Sequence, residues 1–366
     1  MKRGLSLWLD VLRVTATLIV VLSHWAYPRF TGGDYLILRQ LNLGSDAVIV
    51  FFVLSGFVIA YAADRDKQLH IYAFNRLTRL WSVMIPAIVL TVTFDQIGLR
   101  LDPAAYPQPY YTPTPLWEML VRGLSFSNEW VALDRVRLGS NGPLWSLSYE
   151  AGFYAMFGVA MFLRGPMRAG LLVLLVLLVG PRVLLLMPAW LMGVRLWSWV
   201  KRGGHVTLGK PAAWALCLAG PALYVLGLSI DLPGALTDLT AQAMAPVNYR
   251  QALAFSDEFI WNAFIGVFTV LHLIGTAALM GNTVRDRRWV RWLAGASFSI
   301  YVTHYPALQL LDAALPDAIP ARHVLLLGGT IFVGLVFAEV FERRLALLRR
   351  LCSRWIRTSP GPQPVR

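Results

Sequence analysis

Charged residues and cysteines are scarce in this 366-residue chain. Only 14% of its residues are charged, whereas soluble domains carry about 25%. The two cysteines, Cys217 and Cys352, provide no disulfide framework, and neither has metal-ligating neighbours in the sequence. Walker-type loops, HExxH and GxSxG motifs are also missing. These absences argue against a soluble globular enzyme, a disulfide-rich secreted domain and a metal centre.

What the chain does contain is long apolar runs, with 57% hydrophobic and 12% aromatic residues. Runs of this length predict an all-α fold, a polytopic integral membrane helical bundle with about ten transmembrane helices. The predicted spans are 7–26, 44–63, 80–98, 143–163, 168–186, 188–200, 211–229, 259–280, 295–315 and 322–342. Most Lys and Arg residues fall in the loops that alternate along this series, which places both termini in the cytoplasm.

The positive charge is spread along the chain. A formal net charge of +13 could indicate a nucleic-acid-binding protein, but the basic residues lie between the apolar runs instead of forming one patch. We therefore predict no nucleic-acid partner. The chain divides into a transmembrane domain, 1–342, and a basic amphipathic cytoplasmic tail, 343–366. The tail is expected on the anionic inner leaflet, with a disordered Pro-rich end.

Polar residues form a stripe on the first apolar run. Arg13 and His24 are eleven positions apart, so they differ by only about 20° around a helix, and Asp10 and Thr17 join the same face. A polar line in a membrane helix should face other helices or a wet cavity. The alternative is that Asp10 and Arg13 pair and snorkel to one interface while His24 lies at the other.

Two arginines, Arg76 and Arg79, lie one turn apart on what we predict to be an interfacial helix at the cytoplasmic face. Two such guanidinium groups can bind a phosphate bidentately. The alternative is ordinary positive charge on the inner side of the membrane. Asp46 lies at the outer end of the second predicted span.

Glu150 is an intramembrane carboxylate with no basic residue nearby in the sequence, and Ser146 lies one turn before it. Such a group needs a partner from another helix. His24 is the candidate, and a structural hydrogen bond between helices is the alternative. Tyr301 and His304 form a further stripe on the ninth span, where a lone histidine can equally be structural. The long outer loop, 99–142, either covers an acceptor site or has no chemical role.

Several of these stretches together resemble the membrane-bound acyltransferases of acyltransferase family three, which modify sugars of surface and exopolysaccharides. The matching pieces lie in the family's order and cover nearly the whole chain. They are Leu9-Asp10-x-x-Arg13 followed by His24, FFVLSGFVI (51–59), Arg76-x-x-Arg79, WSLSYE (145–150) and SFSIYVTHYP (297–306).

The resemblance implies roles for particular residues. Arg13 and His24 would form the family's Arg-x10-His motif, with His24 essential for transfer, and Glu150 would occupy its WSLSxE position. An Asp that the family often has is Ile49 here, with Asp46 three residues upstream. Ala151-Gly152 replaces a common Glu-Gln pair. The stand-alone form, without a hydrolase-like extracytoplasmic domain, is expected.

The expected function is transfer of an acyl group, acetyl by default, from acyl-CoA to a sugar hydroxyl of an extracytoplasmic polysaccharide or lipid-linked glycan. Arg76 and Arg79 would hold the CoA phosphates, and the pantetheine arm would run outward past Arg13. His24, oriented by Glu150, would act as general base, with an acyl-histidine intermediate as the variant. Catalysis would thus rest on His24, Glu150 and Arg13.

Supporting roles, in substrate binding or structure, are expected for a second set: Asp10, Asp46, Ser146, Tyr301 and His304, of which Tyr301 and His304 are the candidates for an oxyanion partner. No metal and no permanent cofactor are expected; acyl-CoA is a co-substrate. The expected location is the bacterial cytoplasmic (inner) membrane. Expected partners are the bilayer, the glycan and either a second copy of the chain or a polysaccharide-assembly complex. A transporter of lipid-linked sugars or small solutes is the competing function, and a structural subunit the third.

Overall fold

The computed structural model of the chain describes residues 1–281, 287–346 and 349–350. Fifteen α-helices make up this part, joined by short 3-10 helices and containing one isolated bridge between Thr112 and Gly139. The helices are α1 (Arg3–Trp25), α2 (Pro28–Thr31), α3 (Ile37–Gln40), α4 (Leu43–Asp66), α5 (Leu69–Leu101), α6 (Leu116–Leu124), α7 (Trp145–Phe162), α8 (Gly165–Lys201), α9 (Lys210–Ser229), α10 (Leu232–Met244), α11 (Tyr249–Leu253), α12 (Phe259–Leu279), α13 (Arg288–Ala294), α14 (Ser297–Ala314) and α15 (Arg322–Val340). The predicted all-α fold is confirmed.

Seven helices in the described part are long and apolar enough to cross a membrane, so the chain is a multi-pass membrane protein. They contain α1, α4, α5, α8, α9, α12 and α15. Two predicted spans, 143–163 and 295–315, correspond to α7 and α14. Both are 18 residues long and carry polar side chains on several turns, and they are not among the seven.

The fifth and sixth predicted spans form one element, α8, of 37 residues. A straight helix of that length would be about 55 Å long, well beyond a hydrocarbon core of about 30 Å. Its helical geometry is interrupted at Gly180, where φ is 74°, a value that favours glycine. Pro188 stays within the helix. The sequence predicts interruptions both at Gly180-Pro181 and at Pro188, and within α8 only Gly180 departs from helical geometry.

The third span and the predicted interfacial helix before it are also continuous. α5 runs for 33 residues from Leu69 to Leu101 and includes Arg76 and Arg79 in its early turns. The prediction of a separate interfacial helix is wrong. Because the two arginines belong to a membrane-crossing helix, their direction is fixed by the packing of the whole bundle.

Two helices form the centre of the bundle. α4 packs against α1, α8 and α12, whereas α14 packs against α1, α5 and α15. Every residue of α14 from Ser299 to Gln309 is buried. A helix enclosed by protein can carry hydroxyls, a histidine and an amide that lipid would not tolerate. This enclosure explains why α14 has polar residues on all sides.

Glycines allow α4 and α8 to approach closely. A Cβ atom at Gly56 would collide with the carbonyl oxygen of Trp190, and one at Gly193 would collide with the carbonyl oxygen of Val53. Small residues at such crossings let membrane helices pack backbone against backbone.

Most of the predicted tail, 343–366, lies outside the described residues, as does Cys352. Within the described part, Arg349 donates hydrogen bonds to the Thr78 hydroxyl (3.2 Å) and to the Asn75 carbonyl (3.0 Å) of α5. The chain after α15 therefore returns to the end of α5 that carries Arg76 and Arg79.

Candidate active site

A cavity of about 330 Å³ lies among α1, α4, α5, α7 and α14. Side chains of α4, mainly Val48, Phe51, Phe52, Val58 and Ile59, give it an apolar wall. Its polar lining residues are Arg13, Ser55, Arg76, Arg79, Ser146, Glu150, Tyr154, Ser297 and Tyr301. Five of the sequence motifs therefore meet at one cavity, although they are spread over most of the chain.

Three guanidinium groups, those of Arg13, Arg76 and Arg79, line this cavity. Each has a carboxylate near it: Asp10 is 3.5 Å from Arg13, Asp66 is 3.6 Å from Arg76, and Glu342 is 2.6 Å from Arg79. Arg76 and Arg79 reach the same cavity because residues three apart share a helix face. The first two pairs are long, which leaves most donors of Arg13 and Arg76 available for an anion.

Glu342, which the sequence reasoning missed, anchors one side of this arginine group. Its carboxylate accepts hydrogen bonds from the Ser299 backbone N–H (3.0 Å) and the Ser299 hydroxyl (2.7 Å), in addition to its ion pair with Arg79. The first-turn N–H groups of a helix are open donors, so a carboxylate is stabilised there. Glu342 thereby fixes Arg79 relative to α14.

Glu150 belongs to the same cavity but not to the histidine site. It accepts hydrogen bonds from the hydroxyls of Ser55 and Tyr154, the latter at 2.6 Å, and Trp190 donates to Ser55 at 3.2 Å. The predicted pairing of Glu150 with His24 is wrong. His24 lies in the last turn of α1. Glu150 lies five residues after the start of α7, which is about 7.5 Å along that helix.

Tyr301 closes one end of the cavity. Its hydroxyl lies 2.7 Å from the Ser146 hydroxyl and 3.0 Å from the Pro143 carbonyl oxygen. These contacts connect α14 to the start of α7. Both residues were predicted as support, and the structure places both in the cavity wall.

A pair of histidines lies one turn further along α14. His304 Nε2 is 3.0 Å from His24 Nδ1, and the two rings are 4.9 Å apart between centroids. His304 is completely buried. Histidine 24 therefore has a partner from another helix, as predicted for a buried ionisable group, but that partner is His304.

Neighbouring carbonyl groups define the proton positions of this pair. Val20 O lies 3.0 Å from His24 Nδ1, and Tyr301 O lies 2.5 Å from His304 Nδ1, so both Nδ1 atoms carry a proton. His304 Nε2 then accepts from His24 Nδ1. His24 Nε2 keeps a free lone pair and has no hydrogen-bond partner among the described residues. This is the arrangement that a general base requires.

Aromatic and cationic side chains surround the other side of His24. The Tyr305 ring meets the His24 ring edge-on at 5.3 Å, and Tyr27 is 5.9 Å away. The guanidinium carbons of Arg29 and Arg137 lie 5.8 Å and 5.7 Å from the centre of the same Tyr305 ring. Burial lowers the pKa of Arg137, and the neighbouring cations Arg135 and Arg29 act in the same direction.

The long outer loop supplies part of these surroundings and is tied to the bundle. The Asn141 amide donates to the Thr91 hydroxyl (3.0 Å) and to the Val302 carbonyl (2.8 Å), which connects the loop to α5 and α14. Asp95 of α5 accepts from the Ser140 backbone N–H at 2.9 Å. These contacts hold the end of the outer loop against α5 and α14.

Asp46 lies apart from both sites. It accepts hydrogen bonds from the Tyr224 hydroxyl (2.7 Å) and the Trp261 indole (3.2 Å). These contacts connect α4 to α9 and α12. Asp10, by contrast, stays next to Arg13 and also lies 3.4 Å from Arg291 of α13.

Comparison with known proteins identifies the family of this chain. The model of the acyltransferase domain of acyltransferase family three matches residues 6–339, nearly the whole chain. The chain belongs to acyltransferase family three. The resemblance noted in the sequence is thereby confirmed, and the chain is a member of an enzyme family.

Three relatives are informative. The acyltransferase MdmB of Streptomyces mycarofaciens is 32% identical, over 40% of this chain and 36% of its own length. An O-acetyl transferase of Shigella phage Sf6 is 25% identical, over 46% of this chain and 49% of its own. The exopolysaccharide production protein ExoZ of Rhizobium meliloti is 26% identical, over 85% of this chain and 92% of its own. The chain thus spans less than half of the first two relatives and most of the third. No solved structure matches it.

Several residues of the candidate site in this member of family three were not found from the sequence. Tyr305 directly follows His304, which the sequence did indicate. Glu342 is a carboxylate at the end of the apolar run 322–342. Tyr154 follows Glu150 by one helical turn, a spacing that brings side chains together. Arg137 lies in an irregular loop, where no periodicity indicates direction.

Proposed function

We propose that this chain is an integral membrane O-acyltransferase that moves an acyl group from acyl-CoA to a sugar hydroxyl on the outer side of the bacterial inner membrane. One observation carries the proposal: an arginine-lined cavity and a histidine with a free Nε2 lie at successive positions along the same two helices, α1 and α14. Such an arrangement suits a donor from one side of a membrane and an acceptor from the other.

In this proposal the chain crosses the membrane ten times, with both termini in the cytoplasm. α8 contributes two crossings divided at Gly180, and α7 and α14 cross inside the bundle. The distribution of Lys and Arg supports the orientation. Arg76 and Arg79 then lie at the cytoplasmic end and His24 at the outer end.

The donor site is the cavity. Arg76, Arg79 and Arg13 bind the phosphates of acyl-CoA, whose thioester is directed outward along the apolar wall formed by α4. Arg13 and His24 are eleven residues apart, about 16 Å along the helix axis, which is the distance that the pantetheine arm covers. Ser146 and Tyr301 line the far end of this path.

The chemical step is general-base catalysis. His24 Nε2 takes the proton of a sugar hydroxyl while that oxygen attacks the thioester carbonyl carbon. When the tetrahedral intermediate collapses, the C–S bond breaks and the CoA thiolate receives the proton from the imidazolium. His304 orients the ring by accepting from Nδ1, a role that replaces the one expected of Glu150. A positioned base contributes typically about 10²- to 10⁴-fold.

An acyl-histidine intermediate is the variant of this mechanism. In it, His24 Nε2 attacks the thioester first and the sugar hydroxyl then attacks the acyl-imidazole. The names of the relatives, an O-acetyl transferase and an exopolysaccharide production protein, support acetyl as the acyl group and an extracellular glycan as the acceptor.

The test compares wild type, His24→Ala and His70→Ala at matched membrane levels in a strain that lacks the native gene. His70 is an exposed histidine on α5 and serves as the control. Ester-linked acyl groups on extracellular and lipid-linked glycans are quantified by mass spectrometry. Esters with wild type and His70→Ala, but not with His24→Ala, support the proposal.

Other outcomes contradict it. If His24→Ala gives the same amount of ester-linked acyl groups as wild type, His24 has a structural role. If wild type gives no esters, the result favours the transporter, whose substrate moves without covalent change. The donor site has its own test, because Arg76→Ala combined with Arg79→Ala should weaken acyl-CoA binding to the purified protein. Unchanged binding would remove the phosphate-binding role of these arginines.

A further inference from the structure

A group of five side chains beside His24 is not used by the donor or by the proton transfer. We call it the outer arginine–tyrosine cluster: Arg29, Arg137, Tyr27, Tyr110 and Tyr305. Arg29 lies 4.7 Å from the Tyr110 ring centre, and Tyr27 and Tyr110 are 5.3 Å apart. Because both arginines lie within 6 Å of the Tyr305 ring centre, their positive charges are concentrated around one side chain.

Among the residues that the structure describes, no carboxylate forms an ion pair with either arginine. In the part of the chain that the structure describes, Arg29 donates to the Ala105 carbonyl (3.1 Å), the Tyr305 hydroxyl (3.3 Å) and Gln309, and Arg137 donates to the Ser140 carbonyl (3.1 Å). All of these acceptors are neutral. The Nε atoms of both arginines are buried and have no hydrogen-bond partner.

The carboxylates nearby have other partners. Glu129 pairs with Arg135 at 2.9 Å, Asp312 pairs with Arg322 at 2.6 Å, and Asp95 accepts the Ser140 N–H. Two half-buried cations that repel each other are costly unless an anion comes between them. An anion bound between the two guanidinium groups would offset this repulsion.

We propose that the outer arginine–tyrosine cluster binds an anionic group of the acceptor glycan, a carboxylate or a phosphate, and thereby places a neighbouring hydroxyl at His24. This inference rests on the proposed function and names the acceptor class. Guanidinium groups match the geometry of both oxyanions, and the tyrosine rings provide flat apolar faces beside them. Neutral glycans would leave the cations unpaired.

The position of the cluster assigns the anion to the acceptor. The CoA phosphates have a separate arginine group, whose member on α1, Arg13, lies about 16 Å before His24 along the helix. The outer cluster includes Arg137 and Tyr110 from the outer loop, and it contacts His24 through Tyr305. An anion held there is adjacent to the base.

The test uses purified full-length protein in bilayer nanodiscs, with [¹⁴C]acetyl-CoA and glycans extracted from a strain that lacks the native gene. Anion exchange separates the extract into neutral and anionic pools before the reaction. The proteins compared are wild type, Arg137→Gln, Arg137→Lys and Arg250→Gln. Arg250 is exposed and bonded only to Tyr249 among the described residues, so its variant is the control.

We expect label in the anionic pool, reduced about tenfold or more by Arg137→Gln, less by Arg137→Lys and not by Arg250→Gln, because a charge-assisted hydrogen bond contributes at least this factor. Mild acid, which cleaves lipid diphosphate linkages, then distinguishes the two sources. Labelled glycan that becomes neutral carried a diphosphate, and labelled glycan that stays anionic carries a carboxylate or phosphate on the sugar.

A second measurement does not depend on any variant being folded. Excess sodium glucuronate and sodium pyrophosphate are added to wild type, and at least one should raise the KM for the glycan without raising the KM for acetyl-CoA, whereas the same concentration of glucose should change neither. Equal labelling of the neutral pool, or an anionic pool that Arg137→Gln labels as well as wild type, overturns the inference and leaves acyl transfer intact. No label in either pool overturns acyl transfer and the inference with it.

Discussion

Replacement of His304 by phenylalanine isolates the contact between the two histidines. Phenylalanine fills a similar volume but removes Nε2, which accepts from His24 Nδ1 at 3.0 Å. An unsatisfied buried donor costs about 1–3 kcal/mol, or about 5- to 150-fold in rate. Because the Val20 carbonyl still accepts from Nδ1 at 3.0 Å, we expect the lower part of this range, a kcat about tenfold below wild type.

The glutamine variant sharpens this prediction. In His304→Gln, the side-chain carbonyl oxygen can occupy the place of Nε2 and accept the same proton, so we expect kcat to recover most of the loss. The assay measures acetyl transfer in nanodiscs, with the KM for acetyl-CoA as a second readout that should not change. His70→Phe, at an exposed position, is the matched control.

A double variant tests whether His304 acts through His24. If it does, His304→Phe should have almost no effect in a His24→Ala background, because residues that act as a unit are not additive. An unchanged kcat in His304→Phe, or the same tenfold loss when His24 is already alanine, would refute the orienting role. A glutamine variant as slow as the phenylalanine variant would also refute it.

Three further predictions concern the scaffold. Glu342→Gln should lower the unfolding temperature, because a charged acceptor of Arg79 contributes about 1.5–3 kcal/mol; thermal unfolding in nanodiscs measures this, and an unchanged midpoint would contradict it. Gly193→Leu should abolish assembly of the bundle, because its side chain would enter the Val53 backbone; monodisperse protein on size-exclusion chromatography would contradict it. Asp46→Asn should retain acyl transfer, since the amide oxygen can accept from the Trp261 indole while the amide nitrogen donates to the Tyr224 hydroxyl oxygen; a His24→Ala-like loss of activity would place Asp46 in the site instead.

The membrane class and most of the helix positions follow from the sequence alone. Apolar runs of about twenty residues need no tertiary information, because the bilayer itself is the partner that buries them. The polar stripe of α1 was also readable, since eleven residues bring Arg13 and His24 to one face of any α-helix. Helical spacing likewise placed Arg76 and Arg79 together, and the order of the motifs indicated the family.

Tertiary structure decided which stripes meet. The spacing of residues in the sequence fixes the direction in which a side chain points around its helix axis. It does not fix the depth of that helix or its neighbours, so Glu150 was matched with the wrong partner. His304 reaches His24 because α1 packs against α14, a fact with no trace in the local pattern. The same holds for Arg137, whose loop has no periodicity, and for Glu342, which reaches the start of α14 because α15 packs along α14. The sequence thus determined the helices and the residues with chemical potential, whereas packing determined their pairing.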